Sequence, residues 1–140
     1  MNKIIGVLAL AFSLAISVVM ADSWDDSIAK AQGLKKAGDY IGAAEATPRT
    51  LCKAIYYWNA ACKVVGHKDA NGDWAINATV SPADKTEGLR LLKLASDNLD
   101  NAVQGAGLTA PDDGTCKGVD VNDLKDLIQK VKDCAEGHCQ

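Results

Sequence analysis

The chain has 140 residues, a net charge of −3 and a hydrophobic fraction of 48% with few aromatics. That length supports one domain with its own core. The mild acidity gives no electrostatic footing for nucleic acid or for an anionic membrane surface.

Residues 1–21 read as a cleaved secretory signal. Lys3 is the one basic residue before an apolar run from Ile4 to Met20, and Val19-Met20-Ala21 offers a small-residue exit. The rival is a membrane anchor, because the run approaches spanning length. The acidic start that follows (Asp22, Asp25, Asp26) favours cleavage, and no cysteine stands at the cleavage point to take a lipid. The expected mature chain is Asp22 to Gln140, one helical domain over 22–140, secreted or periplasmic. Loss of Lys3 takes its charge from −3 to −4. No later stretch reaches transmembrane length, so no membrane contact is expected once the signal is gone.

The mature part reads as helices in succession. Ser23 caps the first, with Trp24, Ile28 and Ala31 on one face. Ala37-Gly38-Asp39-Tyr40 is a turn in which Gly38 takes a left-handed backbone and Asp39 caps a short helix from Tyr40 to about Ala46. Thr47-Pro48 restarts the chain. A long helix follows from about Arg49 to Gly66. Leu51, Ile55, Trp58, Cys62 and Val65 form one stripe and Ala54, Tyr57, Ala61 and Val64 a second, so this helix is expected at the centre. A polar loop, Gly66 to Trp74, ends it. Ser81-Pro82 opens a helix with Leu89, Leu92, Leu99 and Val103 on one face, widened by Leu91 and Leu94. Gln104 to Gly118 is a loop. The last helix carries Val121, Leu124, Leu127, Ile128, Val131 and Cys134 in one stripe. Nothing alternates at period two. The predicted fold is all-α: four to five helices packed as antiparallel hairpins and stapled by disulfides.

Ala29 to Ala46, "AKAQGLKKAGDYIGAAEA", resembles half of a tetratricopeptide repeat. Ala31, the Gly38-Asp39-Tyr40 turn and Ala43 fill that family's small-residue and turn positions. Tyr56 to Cys62 and Glu87 to Ala95 are similar to pieces of a second, interrupted repeat. Pro48 and the loop after Gly66 depart from the pattern. The resemblance covers about half of the mature chain. It implies stacked antiparallel helix pairs with a groove for a peptide or protein, and no catalytic residue.

All five cysteines, Cys52, Cys62, Cys116, Cys134 and Cys139, lie in the mature part. Exported cysteines usually pair, and an odd count leaves one over. Cys52 and Cys62 are ten residues apart on one helix, about 15 Å, beyond the roughly 7 Å a disulfide spans. With consecutive helices antiparallel, the first long helix and the last are parallel. That arrangement predicts Cys52–Cys116 and Cys62–Cys134, with Cys139 free or bonded to another chain. The first bond closes a long loop, contributing about 4 kcal/mol by chain entropy. A local Cys134–Cys139 bond is the rival.

The tail "CAEGHCQ" spaces Cys134 and His138 one helical turn apart, which suits two ligands of one ion. The same residues serve as the end of an apolar stripe and a helix-dipole partner. Asp69, Asn71 and Asp73 stand at the first, third and fifth places of a calcium-type loop, but Trp74 and Val80 occupy the places of its glycine and bidentate glutamate. Such residues also fill ordinary turns. No nucleophile motif or phosphate-cradling loop is present. Tyr56, Tyr57 and Trp58 belong by pattern to the core, and the sharper alternative has Tyr56, Tyr57 and Trp74 lining a groove. Asn77-Ala78-Thr79 fits a glycosylation acceptor, which matters in a host whose export route glycosylates.

The sequence therefore points to an exported, non-catalytic helical module that holds an unknown protein or peptide and needs no cofactor. A calcium- or zinc-binding protein using Asp69, Asn71 and Asp73 or Cys134 and His138 is the alternative. A small secreted hydrolase or toxin is a further one; it requires a deep polar pocket with a strongly shifted acid.

Overall fold

The computed structural model describes residues 26–48, 50–104 and 119–137. The segment expected to be the signal, Cys116, His138 and Cys139 lie outside them. The described chain is helical apart from one small hairpin. Helix α1 occupies 26–36. It is followed by α2 (Tyr40–Ala46), α3 (Thr50–Val65), strands β1 (Gly66–Lys68) and β2 (Trp74–Ile76), α4 (Pro82–Gln104) and α5 (Val121–Ala135). No described helix is long and apolar enough to cross a membrane.

Local chemistry explains most of the boundaries. Gly38 has φ 86°, the left-handed turn the sequence requires. The Asp39 carboxylate accepts from the Gly42 N–H at 2.9 Å and caps α2. Thr47 turns extended at ψ 136° and ends α2 ahead of Pro48. The Ser81 hydroxyl accepts from the Asp84 N–H at 3.2 Å, with Pro82 in the first turn of α4. Asp120 accepts from the Asn122 and Asp123 N–H groups and starts α5.

The polar loop after α3 is a two-stranded antiparallel hairpin, with Gly66 opposite Ile76 and Lys68 opposite Trp74. Strands of three residues are too short to show alternation in sequence. The Asp69 carboxylate makes the turn, accepting from the Asn71 and Asp73 N–H groups at 2.8 and 3.0 Å. The hairpin folds back tightly at Gly66, where any Cβ would stand 2.3 Å from the Ala75 carbonyl oxygen.

Helix α3 is central. On one side it meets α4 and α5 in a core that includes Leu51, Ile55, Cys62, Val65, Leu91, Leu99, Leu124 and Val131, all buried. Val65 at the end of α3 stands against Gly88 near the start of α4, so close that a Cβ there would come 2.6 Å from Val65 Cγ1. The pair therefore runs antiparallel. On its other side, Cys52 and Tyr56 pack with Ala31 of α1 and Ala43 and Ala44 of α2. Two lysine ties set the direction of α2: Lys53 Nζ donates to the Ala44 carbonyl at 2.8 Å, and Lys63 Nζ to the Gly38 carbonyl at 2.7 Å. Ascending residues before and in α2 meet descending residues of α3, which is again antiparallel.

Two stripes are rotated from their sequence reading. In α4 the buried residues are Leu91, Leu92, Ala95, Leu99 and Ala102, whereas Leu89 and Leu94 are half-buried at the margin. In α5, Leu124, Ile128, Val131 and Ala135 are buried, while Leu127 is 38% exposed. Among the described residues α5 packs on α4, α3 and β2, and Leu127 stands at the uncovered edge of its apolar face.

The expected Cys62–Cys134 bond is not formed, because Cys62 is a free, buried thiol. Ten residues of α-helix rotate Cys62 about 80° from Cys52. Cys52 faces the alanine flank and Cys62 the leucine core. Cys52 and Cys134 are disulfide-bonded, and no bond joins two described cysteines.

Candidate binding groove

The α1–α2 turn does not lie flush on α3. Between them runs an open groove of about 490 Å³, walled by Ala37, Asp39, Tyr40 and Ile41 on one side and by Ala60, Lys63 and Val64 on the other. Small residues cause it. Ala60 and Ala37 extend one carbon each beyond the backbone, so two helical segments held by the Lys63–Gly38 tie leave space between them.

One end of the groove is aromatic. Tyr40 meets Trp74 of β2 edge to face, with ring centroids 5.9 Å apart. The Trp74 indole N–H donates to Asn59 Oδ1 at 2.9 Å, which fixes the hairpin against α3. Lys68 Nζ lies 4.7 Å from the Trp74 ring centroid, a cation–π contact. Asn59 is itself oriented by donating to the Ile55 carbonyl at 2.9 Å. Trp74 has three such contacts and Asn59 two, so the indole is held in place before any ligand arrives.

The residues proposed from sequence are distributed unevenly. Trp74 belongs to the shelf and is half-buried, and its ring partner is Tyr40. Tyr56 is 0% exposed among the alanines of α1 and α2, so it is core and not a groove wall. Tyr57 is half-buried between the two clusters. Burial pushes its phenol above the ordinary range and the neighbouring Glu45 adds to the shift, with Arg90 opposing. Trp58 packs on the leucine core, and its indole N–H finds no acceptor among the described residues. Tyr40, Lys63 and Lys68 were missed. Their signal is weak in sequence because Tyr40 stands more than twenty residues from Lys63 and Lys68 and meets them only through the fold.

The metal candidates fare differently. Asp69 is turned onto the backbone of its own hairpin, with Gly72 at φ 81° completing the turn. Asn71 and Asp73 take part through their backbone N–H groups. Cys134 is disulfide-bonded, so its sulfur is not a thiolate ligand; its proposed partner His138 lies outside the described residues. Among the described residues no group of three His, Cys, Asp or Glu side chains is placed to hold an ion. His67 sits in β1, its Nδ1 2.7 Å from Asn77 Oδ1.

A second depression, about 480 Å³, lies between α4 and α5 beside Leu92 and Ile128. Its cations are Lys93, paired with Asp97 at 3.0 Å, and Lys132 at the α5 wall beside Glu136. On the outer face of α4, Glu87 is held below the usual carboxylate range by its hydrogen bond to Arg90. That is an exposed ion pair on a solvated face.

No protein-family model, curated protein or solved structure matches this chain.

Proposed function

We propose that the protein is an exported, non-catalytic binding module that holds a peptide, or an extended segment of another protein, in the groove between the α1–α2 turn and α3. The observation that carries this reading is the combination of an apolar channel with an aromatic shelf fixed at one end by Asn59. Held rings and small-residue walls admit an extended chain at low ordering cost. The alanine hairpin of α1 and α2, with Ala31 and Ala43 packed together, supports the likeness to half of a tetratricopeptide repeat.

Export follows from the leader-like 1–21 segment and agrees with disulfide bonding at Cys52 and Cys134. With Cys62 free, four cysteines remain, an even number. Cys52–Cys116 and Cys134–Cys139 are the pairings consistent with the helix directions. Gly137, at φ 92° with its N–H donating to the Cys134 carbonyl, ends α5 one turn after Cys134. In this reading the two bonds staple the domain.

The test uses protein expressed with its leader and purified after export. Decapeptides selected from a random display library are titrated into isotopically labelled protein. The expected amide shifts map to Gly38–Ile41, Ala60–Val64 and Trp74. Selected peptides that perturb only other faces, or a selection that yields no binder above background, would overturn the reading. Mass spectrometry of the same sample reads the new N-terminus, expected at Asp22, and the cysteine pairs.

A further inference from the structure

The groove has an electrostatic sign. Lys63 stands on its wall, using one of three ammonium donors on the Gly38 carbonyl at 2.7 Å. Lys68 stands beyond the shelf, over Trp74. Neither pairs with a carboxylate among the described residues, whereas two of the three cations of α4, Arg90 and Lys93, do. The groove's own carboxylate, Asp39, is turned to the start of α2, where it accepts from the Gly42 N–H. A chain of net charge −3 thus leaves two cations without a carboxylate partner among the described residues, one on the groove wall and one over the adjoining shelf.

We propose that the groove selects acidic peptides: a carboxylate, from an Asp or Glu side chain or a C-terminus, on Lys63, with the adjoining apolar side chain against Ile41 and Val64. Lys68 adds attraction for a second acid passing the Tyr40–Trp74 shelf. The ammonium of Lys63 is a fixed donor, because its tie to Gly38 removes much of the rotamer freedom a surface lysine would lose on binding. Charge-assisted hydrogen bonds are about twice as strong as neutral ones, and their share of the affinity falls with salt.

This inference rests on the groove reading above, and the experiment separates the two. Fluorescein-labelled decapeptides alternating Glu with Leu, the same peptides with Gln for Glu, and the same with Lys for Glu are titrated by anisotropy against the exported protein. The expected result is a preference of about tenfold for the Glu series over the Gln series, shrinking as NaCl rises from about 50 to about 300 mM. K63E should reverse the order so that the Lys series binds best. K68Q should weaken the Glu series less, and K93Q, on the α4–α5 face, should leave it unchanged. Equal binding of the Glu and Gln series, mapped to the groove and indifferent to K63E, would overturn the acidic selectivity and leave the groove standing. Binding of no series would overturn both.

Discussion

Helix α3 has two flanks built on different principles. Towards α4 and α5 it meets leucines, and towards α1 and α2 it meets alanines. Buried apolar area converts to stability at about 25 cal/mol per Å², so the leucine flank carries most of the folding free energy. The alanine flank buries less per residue and relies on close backbone approach, the Asp39 cap and the two lysine ties. The groove lies at the seam between the two: Ala60 belongs to the leucine core and Tyr40, Ile41 and Val64 pack against it, while α2 buries Ala43 and Ala44 on the alanine side.

The sharpest way to break the comparison is to exchange the two kinds of packing. Leu91→Ala empties a fully buried position of α4 and is expected to cost about 3 kcal/mol in urea unfolding. The loss should appear as one cooperative transition. Ala43→Leu forces a larger side chain into a site with 0% exposure, expected to cost about 2 kcal/mol by overpacking. Here hydrogen exchange should quicken first in α1 and α2, while α4 amides keep their protection. Equal and global effects of the two changes would show that the flanks are one cooperative unit.

Much of this division was legible in sequence. Asp39, Ser81-Pro82 and the stripe of α5 each announce a helix by local chemistry, and local chemistry is what a single sequence records. What depends on rotation about a helix axis was not. Tyr56 lies off the two main stripes of α3, and only the packing of α1 and α2 decides between its core reading and the groove alternative in favour of core. Leu127 reads as core until it proves to stand at the uncovered edge of the α5 apolar face. The Tyr40–Trp74 shelf needs the hairpin, whose strands are set by the Asp69 turn and not by alternation. The Asp69 carboxylate, a candidate metal ligand by its spacing, serves the turn's backbone, and that too depends on the hairpin.

The two described cysteines of α3 sharpen the contrast between flanks. Cys52, on the alanine side, is disulfide-bonded, whereas Cys62, in the leucine core, is free. Burial pushes the Cys62 thiol up to about 12, with Lys68 opposing weakly. The folded state therefore favours the protonated thiol. Its contribution is fully present below the ordinary thiol range, about pH 8.5. It is lost at about 1.4 kcal/mol per pH unit as pH rises towards the folded value. Urea melts between about pH 8 and about pH 10 should show this slope, and Cys62→Ala should flatten it, leaving the smaller contribution of Tyr57, whose phenol is shifted in the same direction. Iodoacetamide should label Cys62 only after unfolding. Ready labelling of the native protein at neutral pH would place the thiol outside the core.

The smallest expected effect is also the most informative about the groove. Asp39→Ala removes the carboxylate that caps α2, a loss of about 1 kcal/mol. It also removes the acid that lines the groove together with Lys63. The two consequences have opposite signs in different measurements. Thermal stability should fall slightly, while affinity for a Glu-containing peptide should hold or rise, because a competing negative charge has gone. A merely structural role for Asp39 predicts that both fall together, since a frayed α2 would displace Tyr40 from Trp74. Asp39→Asn keeps a capping oxygen and removes the charge. It isolates the electrostatic part: near-native stability with stronger acidic-peptide binding is the expected outcome. Unchanged binding would mean that the cap fully absorbs the Asp39 charge and that Lys63 acts on the ligand alone.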